Sequence, residues 1–79
     1  MSSLGKVAQH KLETVFGKHV EIQARKVMDG FCGEWSFDGD KWSSVLKTYE
    51  HIDDAMANAR TGAFIAQVHW NAVNRRKVQ

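Results

Sequence analysis

Residues 52–73 have the sequence IDDAMANARTGAFIAQVHWNAV, and this stretch decides the fold that the rest of the chain is expected to adopt. Its apolar residues recur at alternating steps of four and three, which is the spacing of one face of an α-helix. The pattern therefore predicts a long helix that packs on the rest of the domain along one apolar seam. The seam consists of Ile52, Met56, Ala59, Ala63, Ala66, Trp70 and Val73.

Residues at the start of this stretch favour the predicted helix, whereas one residue in its middle disfavours it. Asp53 and Asp54 favour a helix start, because carboxylates accept unpaired backbone N–H groups and complement the positive end of the helix dipole. Gly62 is unfavourable in a helix interior, by about 1 kcal/mol relative to alanine. An alternative interpretation therefore ends the helix at Thr61 and places residues 63–70 in a strand.

A first helix is predicted near the start of the chain. Ser2 or Ser3 would cap this helix, and Gly17 would end it. Its apolar stripe at helical spacing would contain Leu4, Val7, Ala8, Leu12, Val15 and Phe16.

Between the two predicted helices the apolar residues recur at every second position, which indicates β-strands. The dipeptide Asp29-Gly30 is a strong signal for a two-residue hairpin turn. A turn there would place Ala24 opposite Trp35 and Arg25 opposite Glu34. Apolar residues would then pair on one face of the hairpin and opposite charges on the other.

A third strand, over residues 42–49, completes the predicted sheet. The predicted fold is α+β, a two-layer sandwich of order α-β-β-β-α with both helices on one face of a three-stranded antiparallel sheet. The alternative order, α-β-β-β-α-β, adds a strand over residues 63–70. The side chains expected to face the helices from the third strand are Trp42, Ser44, Leu46 and Thr48, and the tryptophans expected to be largely buried are Trp35, Trp42 and Trp70.

Length and composition bound the class of protein. The 79 residues are expected to form one domain, 1–79, with a single modest core. A single cysteine, Cys32, excludes an intramolecular disulfide and favours a reducing compartment. No apolar run reaches the length of a membrane span. We therefore expect a cytoplasmic protein with no membrane partner.

The sequence contains no recognisable catalytic or ligand-binding motif. None of the four histidines is spaced from another histidine, a cysteine or a carboxylate as zinc ligands are. Neither GxGxxG nor GxxxxGK[ST], the glycine-rich motifs that bind phosphate groups, occurs. We therefore expect a protein that is not an enzyme, with no catalytic residue, no metal site and no cofactor.

Charge is segregated along the chain. Residues 1–28 carry five basic and two acidic side chains, residues 29–54 carry two and seven, and residues 55–79 carry four and none. One interpretation is that acids collect in turns and at a helix N-terminus. The other is a bipolar surface that steers a charged partner towards the protein.

The long helix has a second apolar side. Phe64, Ile65, Val68 and Ala72 lie roughly opposite to the buried seam, where the surface helix of a small domain is expected to be polar. Either this side is a protein interface, or residues 63–70 form the alternative strand.

These features, a small single α+β domain, segregated charge and no active-site motif, are similar to those of the inhibitor proteins that phages and mobile elements encode. That group includes anti-CRISPR inhibitors of the type I surveillance complexes. The resemblance has no signature motif and implies a non-enzymatic protein that binds a host protein complex and blocks its access to DNA. The residues predicted to bind a partner are Asp38, Asp40, Phe64, Ile65, Val68, Arg75 and Arg76.

Two other functions are compatible with the sequence. The predicted layout resembles the double-stranded-RNA-binding fold, with Asp53 and Asp54 where that family has phosphate-binding lysines. A nucleic-acid-binding module would use Arg75, Arg76 and Lys77 near the end of the chain. A homodimeric structural protein is the third candidate. The expected state is a monomer or a weak homodimer.

Overall fold

Four antiparallel strands and one helix make up the described part of the chain. The computed structural model describes residues 5–78, with side chains described for residues 5–73. The sheet order is β1-β2-β3-β4, and the helix packs on one face of the sheet. The predicted α+β class is confirmed, but the predicted orders with two helices and three strands, or with a last strand, are wrong. The elements are β1 (Val7–Val15), β2 (Lys18–Val27), β3 (Gly30–Ser36), β4 (Thr48–Tyr49) and α1 (Ile52–Val78).

The predicted first helix is wrong, because this part of the chain forms β1. Being an edge strand, β1 has only one buried side chain, Val15, so its sequence lacks the alternation that marks a half-buried strand. A bulge between Val7 and Gln9 disturbs the pattern further. Without the first helix, the layout no longer resembles the double-stranded-RNA-binding fold. Ser2 and Ser3 lie outside the described residues.

Phe16 and Gly17 form the two-residue turn between β1 and β2. Their φ angles are +51° and +76°, as expected for the hairpin turn in which both central residues have positive φ. Gly17 therefore serves this turn and does not end a helix, although glycine is favoured in both positions.

The hairpin of β2 and β3 is confirmed, but its register differs from the predicted one by two residues. Ala24 lies opposite Gly33, and Trp35 lies opposite Ile22. The two turn residues are Met28 and Asp29, so Asp29-Gly30 is not the central pair. Because side chains alternate with a period of two, a shift of two residues leaves every side chain on its predicted face.

The predicted third strand is mostly irregular. Trp35 forms an isolated bridge with Ser43, whereas Phe31 pairs with Tyr49. The intervening residues bulge out of the ladder, and Leu46 is 86% exposed instead of facing the helix. Ser43 and Tyr49 lie on the helix face, opposite to the prediction, because a shift of one residue reverses the faces of a strand.

The long helix is confirmed, and its first half carries the buried seam. Met56, Ala59 and Ala63 are buried against Val20, Ile22, Ala24 and Trp35 of the sheet. The alternative strand over residues 63–70 is wrong. A helix of 27 residues is about 40 Å long, whereas the ten residues of β2, the longest strand, span about 33 Å. The helix therefore extends past the sheet, and Trp70 is 52% exposed.

Trp35 lies at the centre of the packing between helix and sheet. It is 8% exposed, as predicted, whereas Trp42 is only partly buried and Trp70 is exposed. A Cβ atom at Gly62 would lie closer than 3.0 Å to three ring atoms of Trp35. Gly62 is therefore tolerated within the helix because it lets the indole ring pack directly on the helix backbone.

Candidate protein-binding surface

The first part of the candidate surface joins the β1–β2 turn to the exposed side of α1. Phe16 is 59% exposed, and its ring stacks on that of Phe64 with centroids 5.1 Å apart. Beside this pair, Phe16, Val68, Asn71 and Ala72 line an open groove of about 280 Å³. We call Phe16, Phe64, Val68 and Ala72 the turn-side patch.

A second apolar groove lies on the other flank of the helix. Ile65 faces this groove, together with Val45 of the segment between β3 and β4. Its volume is about 400 Å³. We call it the loop-side groove, and its lining residues are Trp35, Val45, Gly62, Ile65, Ala66 and His69.

Two exposed apolar residues on the loops beside the helix have left-handed backbone conformations. Phe16 has φ +51° and Leu46 has φ +58°. Bulky residues rarely adopt positive φ, and glycine or asparagine would fit both positions with less strain. Such strain is typical of binding and catalytic sites. Neither side chain is buried, so burial in the core does not explain why a bulky residue occupies either position.

The two predicted acidic residues lie in the loop that follows β3. Oδ1 of Asp38 accepts hydrogen bonds from the backbone N–H groups of Asp40 and Lys41 and from the hydroxyl of Ser36. The Lys41 N–H, followed by the other two donors, lowers the pKa of Asp38 to about 2. Asp38 thus organises the loop, whereas Asp40 is exposed.

The acidic loop and the turn-side patch lie at the same end of the sheet. Glu21, near the start of β2, pairs with Ser36 at the end of β3. The β1–β2 turn precedes the start of β2, so this turn and the loop that begins at Phe37 are neighbours at that end. Asp29, in the β2–β3 turn, lies at the opposite end.

On the sheet face away from the helix, polar side chains bind one another. Nε of Arg25 donates to Oε1 of Glu34 at 3.1 Å, and Nε2 of Gln23 donates to the same oxygen at 2.6 Å. Nη1 of Arg25 also donates to the carbonyl of Gly5. Arg25 and Glu34 do form an ion pair, but the predicted direct opposition is wrong, because Arg25 lies opposite Cys32 and Glu34 is its diagonal neighbour. These groups stabilise the sheet face.

The residues with metal-binding or nucleophilic groups are dispersed. Nε2 of His10 lies 2.9 Å from Oε1 of Glu21 on the exposed sheet face. Cys32 is buried, and its Sγ lies 3.1 Å from Oγ of Ser44. Among the described residues, no three or more His, Cys, Asp or Glu side chains are grouped to hold a metal ion. No described helix is both long enough and apolar enough to cross a membrane.

The structure brings some of the predicted partner-binding residues together and separates others. Phe64 and Val68 share the turn-side patch, whereas Ile65 lies on the other flank in the loop-side groove. Asp38 and Asp40 lie in a loop at the same end of the domain. The side chains of Arg75 and Arg76 are outside the described part of the chain.

Three exposed apolar residues, Phe16, Val45 and Leu46, lie where the sequence pattern did not predict them. The pattern predicts Phe16 in the stripe of a helix, and it predicts Val45 and Leu46 in a regular strand over residues 42–49, with Leu46 facing the helices. For Phe16 a signal exists, because a glycine between two β-compatible segments also predicts a hairpin turn. For Val45 and Leu46 we find none, since their positions depend on the bulge between β3 and β4.

Comparison with known proteins adds no family assignment. No protein-family model matches the chain, and neither a curated protein nor a solved structure matches it significantly.

Proposed function

We propose that this protein is a non-enzymatic binding protein that inhibits a larger host protein complex by occupying one of its surfaces. The observation that carries the proposal is Phe16, an exposed, bulky residue with positive φ whose ring stacks on Phe64 of the exposed apolar side of α1. Buried aromatic and aliphatic anchors supply most of the free energy of protein–protein binding. Strained display of such side chains is consistent with selection for contact with a partner.

The acidic loop gives the proposed surface its second property. Asp38 and Asp40 are exposed at the same end of the domain as the turn-side patch. Negative charge there would attract a basic surface and raise the association rate, an effect that salt screens. Apolar anchors would instead slow dissociation. The proposed partner therefore has a basic surface beside an apolar pocket.

A DNA-binding groove of a host defence complex has this chemistry, because it must neutralise phosphate groups. We propose a type I CRISPR surveillance complex as the specific target, and prevention of DNA binding as the mode of inhibition. This choice rests on the similarity to small phage-encoded inhibitors in size, charge segregation and lack of an active-site motif. The cytoplasm is the proposed site of action.

The apolar part of the proposal is tested with a substitution that suits the turn. Phe16→Asn retains the hairpin, because Asn-Gly is the preferred pair for a turn with two positive φ angles. Met28→Asn is the matched control, since Met28 is 95% exposed in the two-residue turn at the opposite end of the sheet. We expect Phe16→Asn to speed dissociation from the purified surveillance complex at least about tenfold, within the range for losing a binding anchor.

The control should dissociate at the parent rate, and the parent protein should prevent target-DNA binding in a gel-shift assay. Equal dissociation rates of the two variants would contradict the assignment of the turn-side patch. If folded parent protein binds no type I complex from a representative panel, that target is rejected. Should it also recover no protein partner from its natural host, the inhibitor proposal fails as a whole.

The electrostatic part is tested at Asp40, because a change at Asp38 would also disrupt the loop. Asp40→Lys should slow association markedly at low salt and little at high salt. Asp29→Lys makes the same charge change at the other end of the sheet and should have a smaller effect. If both variants slow association equally, the loop does not steer the partner.

A further inference from the structure

We propose that two copies of this chain associate through β1, edge to edge and antiparallel, in a register centred on Leu12. This inference goes beyond the proposed function and does not rest on it. Three observations carry it: the direction of the free backbone groups, the position of the bulge, and the order of charges along the strand.

The first observation is the exposed edge. Within residues 5–78, β1 is the first strand in the sheet order and pairs with β2 on one side only. Val15 and Lys18 close a two-residue turn and therefore form a hydrogen-bonded pair, and such pairs alternate with non-hydrogen-bonded pairs along an antiparallel ladder. The backbone N–H and C=O groups of His10, Leu12 and Thr14 consequently point away from β2, towards the open edge.

The second observation is the bulge. It lies between Val7 and Gln9, so the regular part of the ladder covers residues 9–15. Leu12 is the central residue of that segment. An antiparallel pair of these segments centred on Leu12 joins His10 to Thr14 of the second copy, and Leu12 to Leu12. All the outward-pointing groups then meet, forming about six interchain hydrogen bonds.

The third observation is charge. Registers centred on residue 11, 12 or 13 all align the outward backbone groups, and charge selects the one centred on Leu12. Centred on Leu12, Lys11 of each copy faces Glu13 of the other, in a non-hydrogen-bonded pair where side chains lie closest. Centring on residue 11 would oppose two lysines, and centring on residue 13 would oppose two glutamates. Only the Leu12 register gives two reciprocal ion pairs, as a twofold interface requires.

The side chains of this segment are arranged to complete the interface. Glu13 lies on the helix face and is held by Arg60, with Nη2 of Arg60 at 3.0 Å from Oε2 of Glu13. Leu12 projects from the opposite face and is 67% exposed. In the dimer Leu12 meets its own copy across the twofold axis, and Lys11 of the second copy joins the Arg60–Glu13 pair.

A lysine and a bulge on an edge strand normally protect it from pairing with other strands. Here the bulge lies outside the regular segment. A basic edge would repel the lysine, and a neutral edge would leave its charge without a partner. Glutamate in the second copy turns the same lysine into a selective contact. The edge therefore discriminates against other strands and accepts a copy of itself.

The resulting assembly is sterically feasible. The twofold axis is perpendicular to the sheet, so both helices lie on one face of a continuous eight-stranded sheet. α1 packs over β2 and β3, which puts the two helix axes about four strand spacings apart, roughly 19 Å. Because a helix with side chains is about 10–12 Å across, the two helices do not collide.

The test uses charge substitutions and sedimentation of the full chain. The parent protein should show a concentration-dependent shift from monomer to dimer. Lys11→Glu should abolish the dimer, because the introduced carboxylate would face Glu13 of the second copy. Lys6→Glu, the same charge change outside the regular segment, should leave the dimer unchanged. Glu13→Lys should also be monomeric by opposing lysine to lysine.

The decisive sample is a mixture. Lys11→Glu and Glu13→Lys are each expected to be monomeric, but together they should form a heterodimer with two restored ion pairs. The double variant Lys11→Glu/Glu13→Lys should recover the homodimer. Circular dichroism establishes whether each variant folds. If Glu13→Lys unfolds through loss of its Arg60 contact, the comparison of dimerisation by Lys11→Glu and by Lys6→Glu still tests the proposal.

The register is checked by NMR on a half-labelled sample. An interchain nuclear Overhauser effect should connect Hα of Lys11 in one copy with Hα of Glu13 in the other, because these atoms lie close together in non-hydrogen-bonded antiparallel pairs. A parent protein that remains monomeric at millimolar concentration would overturn the proposal and leave the edge to a strand of another protein. A dimer that persists in Lys11→Glu would overturn it equally.

Discussion

Gly62 shows how a single residue sets the distance between α1 and the sheet. Its missing side chain leaves room for the ring of Trp35, which would otherwise meet a Cβ atom closer than 3.0 Å. Gly33 acts similarly from the sheet side, where a Cβ atom would meet backbone atoms of Ala55 and Ala59. The intrinsic cost of a helical glycine is thus offset by close packing around Trp35.

Gly62→Ala should therefore destabilise the protein, although alanine is the better helix former by about 1 kcal/mol. We expect a net loss of about 1–3 kcal/mol, the usual cost of overpacking a core. Thr61→Ala, at the exposed neighbouring position, is the control and should be neutral or slightly stabilising. Chemical denaturation measures both changes, and a higher midpoint for Gly62→Ala than for the parent would show that the ring has room.

Asp38 provides a second prediction at the residue scale. Hydrogen bonds, foremost from the Lys41 N–H, lower its pKa from the ordinary 3.8 to about 2. A carboxyl with a lowered pKa stabilises the folded loop above its unfolded pKa, and this stabilisation is lost as pH falls through the folded value. Between about pH 4 and pH 2 the loop should therefore loosen.

The carboxyl carbon shift of Asp38, followed by NMR, should give this low pKa directly. Asp38→Ala is the matched variant, in which the loop amides of Asp40 and Lys41 should already be altered at neutral pH. Titration of Asp38 at its ordinary pKa would contradict the three hydrogen bonds to its Oδ1.

At the scale of the elements, α1 has two unlike halves. The first half is buried on the sheet as far as Gln67, and the described residues beyond it are exposed or only partly buried. Trp70 keeps a contact there, with Nζ of Lys18 lying 5.0 Å from its ring. A cation above an exposed aromatic ring contributes about 0.5–1 kcal/mol, much less than full burial of the ring.

Amide hydrogen exchange should reflect this division. Helix residues 56–67 should exchange only with global unfolding, whereas residues 68–73 should exchange through local fraying, which needs less free energy. Denaturant should accelerate the exchange of residues 56–67 more strongly than that of residues 68–73, and it should slow neither. Equal protection along the whole of residues 56–73 would mean that the second half is packed against something.

At the scale of the whole molecule, the net charge is only +2. Asp53 and Asp54 place negative charge at the start of α1, and Asp38 and Asp40 place it in the loop after β3. Phosphate binding needs clustered Lys and Arg, and its strength falls steeply with salt.

We accordingly predict no sub-micromolar binding to duplex DNA or RNA near physiological salt. Fluorescence anisotropy at low and at physiological salt measures this, with Arg75→Ala/Arg76→Ala as the variant that would weaken any residual binding. Tight, salt-sensitive binding by the parent, reduced in that variant, would favour a nucleic-acid-binding module over the inhibitor.

The sequence predicted many residues of the candidate surface, but it did not predict the contacts that bring them together. The spacing of residues 52–73 placed Phe64, Ile65 and Val68 on the side of α1 away from the core, where they are exposed. It did not show that Phe16 stacks on Phe64 or that Ile65 shares a groove with Val45. Those contacts join residues far apart in the chain, and no local pattern encodes them.

The sequence by itself determined the α+β class, the long helix with its buried seam, and the faces of the β2–β3 hairpin. These features have one face buried and the other exposed over many residues, so burial leaves a clear period in the sequence. Only the tertiary structure decided that β1 is a strand, how β4 pairs, and that Trp70 lies beyond the sheet. An edge strand buries too little to show its period, a bulge changes register without a signal, and the reach of a helix past a sheet depends on the lengths of both elements.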